Sequence, residues 1–251
     1  MPQTYLLYNL FNMKKIFLLM ALLLPFTIDS YCKDNGGPVA HEEHEYVDLG
    51  LPSGTLWATC NVGANSPEEY GGHFAWGETE TKESYYPRDY KWGEGLERMT
   101  KYITNFIVHY HRIPNIDHPY RGYVDNKIEL DPEDDAATVN WGPQWCTPTK
   151  AQLDELQERC TWYKAIVNSV DGYLVRGPNG NAIFLPAAGK SCGKTWHGGP
   201  YGAYWSRMIN PEEPFWAYLI VFDMQRNRIY KGRTEFRSYG ASVRAVRVSQ
   251  D

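Results

Sequence analysis

The chain has 251 residues, a formal net charge of −5 and an aromatic content of 15%, including nine Trp and nineteen Tyr. A net negative chain with no concentrated basic run argues against nucleic acid as a partner, because phosphate binding needs a dense cationic surface. With 22 Gly and 16 Pro, the composition implies many turns and short strands rather than a helical bundle.

Residues 1–32 read as a signal peptide. Lys14 and Lys15 precede an apolar run from Ile16 to Phe26, too short to span a bilayer but suited to an export signal. The basic pair follows Met13 directly, which makes Met13 the expected start. Cys32 is the candidate lipidation residue, and a lipid there is the one membrane attachment the sequence offers. Plain secretion, with cleavage after Ser30, is the alternative. Residues 33–44, polar and glycine-containing, read as a flexible linker, with His41 and His44 in a solvated setting.

A single domain is expected over residues 45–251. Tyr46–Leu49 and Thr55–Val62, separated by Pro52-Ser53-Gly54, predict a β-hairpin. Gly63–Gly72 reads as a loop, and Phe74–Gly77 as a short buried aromatic piece. Residues 78–140 show no sustained period of either kind. Asp131–Ala137 reads as a short helical turn, with Pro132 at a first helical position and carboxylates at its positive end. Thr149 followed three residues later by Gln152 is a capping-box spacing and predicts a helix from about Lys150 to about Arg159. Leu153, Leu156 and Cys160 share its inner face. Gly172–Arg176 and Asn181–Leu185 flank Gly-Pro-Asn-Gly and predict a hairpin. Residues 190–203 read as a glycine-rich loop, Trp216–Phe222 as a strand, and Arg228–Lys231 as its return. Ser242–Val248 is the closing strand, expected against the first hairpin.

The remaining cysteines are Cys60, Cys146, Cys160 and Cys192. An exported chain meets an oxidising compartment, so an even set suggests bridges, and four cysteines allow three pairings. No CxxC or zinc-type spacing occurs.

The ordered motifs YVDLGLPSGTLWATCNVGA (Tyr46–Ala64), DDAATVNWG (Asp134–Gly142), the W-x-x-PT-x-A-x-x-x-EL run over Trp145–Leu156, GYLVRGPNGNAIFLPAAG (Gly172–Gly189), YWS (Tyr204–Ser206) and GASVRAVR (Gly240–Arg247) resemble the Fibrobacter succinogenes major paralogous domain family of exported Bacteroidetes proteins. The resemblance implies an α+β, C-type lectin-like fold, related to formylglycine-generating enzymes: a small twisted antiparallel sheet, one or two flanking helices and long loops. It implies no established catalytic activity. The family usually carries Arg at the position of Cys146, which suggests a Cys146–Cys192 bridge and leaves Cys60 with Cys160.

The residues offer little for catalysis. There is no GxSxG elbow, and no motif places a histidine beside Ser206. Glu78, Glu80, Glu83, Asp134 and Asp135 are not paired by any pattern across a cleft, and Asp134-Asp135 fits a helix start. No calcium-lectin triplet is present; Glu212-Glu213-Pro214 lacks the following amide residue. His109, His111 and His118 with Asp117 lack metal-ligand spacing. No cofactor is expected, and the cysteine chemistry of the formylglycine-generating relatives ranks last.

Surface recognition is the remaining class. Tyr, Trp and Arg dominate binding hot spots because they supply area and hydrogen bonds at low entropy cost. The C-terminal loops supply Trp196, His197, Tyr201, Arg207, Arg228, Tyr230 and Arg237 as the candidate ligand-binding set. Trp205, Arg244 and Arg247 read as structural. The expectation is a non-enzymatic, exported binding module for a glycan or a surface protein. A structural or adhesin-type component of a surface assembly is the alternative.

Overall fold

The computed structural model describes residues 44–93, 99–104 and 124–247. The chain divides into Met1–Ala40 and His41–Asp251, and every described residue falls in the second unit. The expected signal segment, the start at Met13, Cys32 and the His109/His111/His118/Asp117 group lie outside the described residues.

The architecture is mostly antiparallel β, with two short α-helices among the described residues. Strands β1 (Tyr46–Asp48) and β2 (Leu56–Ala58) form the expected first hairpin, with Val47 opposite Trp57. Its turn is closed by Gly54 N–H donating to the Leu51 carbonyl at 2.9 Å. Strand β3 is Phe74–Ala75, buried as expected. A one-turn 3-10 helix at Pro132–Asp134 leads into α1 (Ala136–Trp141), so the acidic run Asp131–Asp135 does start a helix. Asp135 is the N-cap and accepts from Ala137 N and Thr138 N.

Strand β4 (Trp145–Cys146) precedes α2 (Lys150–Arg159). Both halves of the capping box are made: Thr149 Oγ1 accepts from Gln152 N at 3.2 Å, and Gln152 Oε1 accepts from Thr149 N at 2.9 Å. Leu153 and Leu156 are buried. Their partners include Trp57, Tyr173, Leu185, Phe222 and Val246, so α2 packs on residues drawn from three of the sheets.

Strands β5 (Thr161–Val167), β6 (Val170–Arg176) and β7 (Ala182–Pro186) form a three-stranded meander. The β6–β7 hairpin is the expected one; β5 extends it. Asn168 and Ser169 link β5 to β6 with φ of 46° and 69°, the paired positive values a two-residue primed turn requires. Strands β8 (Lys190–Cys192) and β9 (Thr195–His197) pair within the stretch expected to be loop. The tight turn between them passes through Gly193, φ 57°. Their sheet runs β3-β13-β8-β9, with β13 at Gly240–Ala241.

Strands β10 (Tyr201–Ile209), β11 (Trp216–Asp223) and β12 (Arg228–Phe236) form the longest ladder, with a register shift in each pairing. The last strand, β14 (Val246–Arg247), pairs with β2 on one side and β4 on the other, so Val246 faces both Trp57 and Cys146. The closing segment thus joins the first hairpin, as the sequence leads one to expect.

The core is aromatic. Trp57, Trp76, Trp145 and Trp205 are fully buried. Trp76 and Trp205 place their indole N–H groups on the Ser206 and Phe74 carbonyls, each at 2.8 Å, so the polar edge of each ring is satisfied inside.

Two arginines are also interior. Arg244 donates to Asn61 Oδ1 at 3.0 Å, the Ala58 carbonyl at 3.3 Å and the Phe184 carbonyl at 2.9 Å. It therefore ties β2 and β7 to the loop that follows β2. Arg237 was expected in the binding surface, and the structure corrects this. It is 1% exposed. It donates to Tyr90 Oη at 3.0 Å and to the carbonyls of Tyr102, Pro214 and Lys101 at 3.1–3.2 Å. Its guanidinium carbon sits 4.7 Å from the Trp76 ring centroid. Uncapped carbonyls of irregular segments need such a multi-donor group when buried, and this is why an arginine lies there.

The expected disulfides are corrected as well. Cys60, Cys146, Cys160 and Cys192 are all free thiols. Cys60 donates to the Ala64 carbonyl at 3.4 Å and packs with Trp145 and Trp205. Cys160, at the end of α2, and Cys146, on β4, pack in the other large cluster, with Trp57 and Leu156. Cys192 lies in the β8–β9 hairpin, on a different sheet from Cys146. Each proposed pair is thus split between packing environments. Burial pushes the Cys146 and Cys160 thiols up to about 11, which keeps them protonated and unreactive.

Candidate functional site

A cleft of about 870 Å³ opens where the loop before β3, the segment after it and the β8–β9 hairpin meet. Trp196 of β9 stands at its edge, 54% exposed. Its indole N–H donates to the Ala188 carbonyl at 2.8 Å. One face of its ring lies directly on Gly198: a Cβ there would come within 2.3 Å of the indole. The glycine is therefore what lets the ring lie flat against the backbone while its body stays in solvent.

Tyr70 packs against it at the rim of the cleft. The two ring centroids are 6.0 Å apart at an interplanar angle of 40°. Tyr70 is 37% exposed and sits on the loop between β2 and β3. That loop is closed by Gly72 N–H donating to the Val62 carbonyl at 2.9 Å. Gly71, φ 68°, makes the closure sterically feasible, since a Cβ there would lie 2.5 Å from the Val62 carbonyl oxygen. Asn61 Nδ2 donates to the Tyr70 carbonyl at 2.9 Å, and Asn61 is itself held by Arg244. The exposed tyrosine is thus anchored to the buried arginine through one amide.

The floor is polar. His73 Nδ1 lies 2.9 Å from Ser191 Oγ. Burial lowers the His73 pKa below the ordinary imidazole value, opposed by a hydrogen bond to the Ala188 carbonyl. The ring is accordingly neutral at pH 7. Tyr85 Oη donates to the His73 carbonyl at 2.5 Å and fixes the backbone there. On the far wall, Asn140 of α1 donates to the Thr79 carbonyl at 3.0 Å. Lys82 is neutralised by Glu78, Nζ to Oε2 at 2.7 Å. Glu80 also lines the cleft, and is exposed.

Of the residues expected to bind ligand, the cleft takes Trp196 alone. His197 is exposed on β9, in register with Lys190, but does not line it. Tyr201, 36% exposed, opens β10 opposite Asp223. Arg228 lies over the Tyr230 ring at 4.9 Å on β12, on a sheet separate from the β8–β9 hairpin. Arg207 is half-buried: it donates to the Leu130 carbonyl at 3.1 Å and its Nε lies 3.6 Å from Glu129. Arg237 is in the core. Sequence reasoning missed Tyr70, His73 and Ser191. The glycine pair after Tyr70 was the available signal, marking a loop tight enough to hold an aromatic ring in place.

The catalytic candidates are engaged elsewhere. Ser206 is fully buried and its Oγ bonds the Met208 backbone at 3.1–3.2 Å. Asp135 accepts from Thr147 N and Thr147 Oγ1, at 2.9 and 2.7 Å, besides capping α1. Asp131, Glu133 and Asp134 bring carboxylate oxygens within 4.8 Å of one another. The position a cation would take is filled by the Lys101 ammonium, 2.6 Å from both Asp131 and Asp134.

No protein-family model, curated protein or solved structure matches the chain. Among the described residues, no helix is long and apolar enough to cross a membrane.

Proposed function

We propose that the chain is an exported, non-enzymatic binding module of C-type lectin-like fold, and that it recognises a glycan at the cell surface through the Trp196–Tyr70 cleft. The observation that carries this reading is the pair of touching, exposed rings on the rim of a polar-floored cleft of about 870 Å³. Aromatic faces offer apolar area to the C–H face of a sugar, and polar groups beneath can read its hydroxyls. The volume lies in the range of small-ligand sites. The C-type lectin-like assignment draws on the motif resemblance, on the closing strand paired to the first hairpin, and on one capped helix beside small antiparallel sheets. Export and surface location rest on the N-terminal segment of the sequence. A protein ligand at the same face is the competing partner. The test is an array of host and dietary glycans probed with the purified protein. Signal lost in Trp196→Ala supports the reading; signal unchanged in that variant removes it.

The second reading, a component of a surface assembly, draws on β5. This seven-residue strand is the outer member of its sheet, with Tyr163 48% and Ile166 64% exposed. An open strand edge is a template for another chain. Lys164 at its centre opposes pairing with a second copy in register, because the two ammonium groups would face each other. Light scattering that returns a monomer at high concentration would leave the binding module as the better account.

A further inference from the structure

Resting on the glycan reading of the cleft, we infer that the ligand class is a neutral sugar, stacked on Trp196 with its hydroxyls read by the Ser191–His73 pair, and that uronic and sialic acids are excluded. Three features of the cleft carry this.

The first is the polar pair. Ser191 Oγ and His73 Nδ1 share one hydrogen bond at 2.9 Å. A hydroxyl has one donor and two acceptor positions, so a single bond to His73 leaves Ser191 with further capacity toward the cleft. Both residues line the cleft, and both are held: His73 by the Tyr85 bond to its carbonyl, Ser191 by its register against Gly240 and Trp196. A pre-positioned hydroxyl beside a neutral imidazole suits a neutral hydroxyl group. It offers no cation to a carboxylate.

The second is the balance of charge. The ionised side chains lining the cleft are Glu80 and Lys82. The Lys82 ammonium lies 2.7 Å from Glu78 Oε2 and also donates to the Asp89 carbonyl at 2.8 Å. No ion pair involves Glu80 among the described residues. Among the described residues, the uncompensated charge of the cleft is therefore negative. A carboxylated sugar entering would meet a like charge, with no arginine among the described lining residues to answer it, where carboxylate recognition normally uses a bidentate guanidinium.

The third is the aromatic geometry. Gly198 covers one face of Trp196, Tyr70 touches the ring at a 40° tilt, and Trp196 stays 54% exposed as apolar area at the cleft rim. The two touching rings together offer a continuous apolar edge to the C–H groups of a sugar.

The experiment is a titration of the purified full chain against three sets of oligosaccharides, neutral hexose, hexuronic acid and sialylated, at low and physiological salt. Binding confined to the neutral set is expected. Ser191→Ala should bind the same neutral glycan roughly tenfold more weakly, as expected for one lost hydrogen bond. Glu80→Gln should retain neutral binding and gain measurable binding of the hexuronic counterpart. Preferred binding of acidic glycans by the unaltered protein would overturn the inference and leave the glycan reading standing. Neutral binding unaffected by Ser191→Ala would overturn the assignment to this floor, and a Glu80→Gln variant that gains no hexuronic binding would overturn the charge argument. Failure to bind any of the three sets would remove the glycan reading itself. A second variant, Ser191→Thr, keeps the hydroxyl and separates its loss from a folding defect: it should bind within threefold of the unaltered protein.

Discussion

Arg244 Nε donates to Asn61 Oδ1 at 3.0 Å, and the same amide donates onward to the Tyr70 carbonyl at 2.9 Å. A buried guanidinium thereby helps to fix the backbone that carries an exposed aromatic ring. The coupling is a short, continuous hydrogen-bonded chain, and it makes fold stability and cleft geometry two readings of one network. Replacing Asn61 by Ala leaves a charged donor buried without its partner. The loss should be about 1.5–3 kcal/mol of unfolding free energy. Ligand affinity should fall in the same variant, although Asn61 does not line the cleft. Urea denaturation and ligand titration of Asn61→Ala check both, and a change in stability without a change in affinity would break the link.

Arg237 makes a separate prediction. It serves Tyr90 Oη and three backbone carbonyls, and the bonds to Tyr90, Tyr102 and Pro214 are buried. Arg237→Ala opens a cavity and strands them, so the cost should be about 3 kcal/mol or more. Arg228→Ala, on an exposed position, should change stability by about 0.5 kcal/mol or less. Equal small effects in both would contradict the interior placement of Arg237.

The two arginines also show where a sequence is readable and where it is not. Helix α2 was legible to the residue, because Thr149 and Gln152 write its start in local chemistry. The β6–β7 hairpin was legible through Gly-Pro-Asn-Gly, with its strand ends one or two residues away from those expected. Strand β5 was not: Thr161–Val167 is partly exposed on both faces and carries no alternation. The β8–β9 hairpin hid in a glycine-rich stretch, since three-residue strands show no period. Arg237 looked like a surface contact because an arginine's burial depends on which carbonyls converge on it, and those lie at positions 101, 102 and 214. Trp196 was legible as an exposed aromatic. Its partner Tyr70 was not, because their pairing is made by tertiary packing across more than a hundred residues.

Helix α2 offers a plain check of the local physics. Thr149→Ala removes the acceptor for Gln152 N and should cost about 1 kcal/mol. Gln152→Ala removes the reciprocal bond to Thr149 N and should cost less, since Thr149 N can find water. Equilibrium urea curves of the two variants would test the order; the reverse order would contradict the cap.

The cysteines give a chemical test. All four in the described residues are free thiols, and two are pushed up to about 11 by burial. Thiol reagent at pH 7.5 should label Cys60, Cys146 and Cys160 slowly in the native protein and rapidly in denaturant. Peptide mapping without reductant should return no Cys146–Cys192 or Cys60–Cys160 linkage. A recovered linkage of either kind would contradict the packing described.

His73 predicts a pH dependence. Its folded pKa is depressed by burial, so the unfolded chain binds the proton more readily. The stability held by neutral His73 is complete above the unfolded value, about 6.5. It is lost as pH falls from there through the lower folded value. Urea midpoints measured between pH 7.5 and pH 5 should decline, and His73→Gln should flatten that part of the curve. A midpoint that rises on acidification in that window would have the wrong sign.

The account turns on the cleft rimmed by Trp196 and Tyr70, and the most direct measurement is calorimetric titration of an array-selected glycan into the unaltered protein, Trp196→Ala and Tyr70→Ala. Each substitution is predicted to weaken binding at least tenfold while leaving the thermal midpoint within a few degrees, since both rings are exposed. Affinity unchanged in both variants, with the glycan still bound, would place recognition elsewhere and contradict the account.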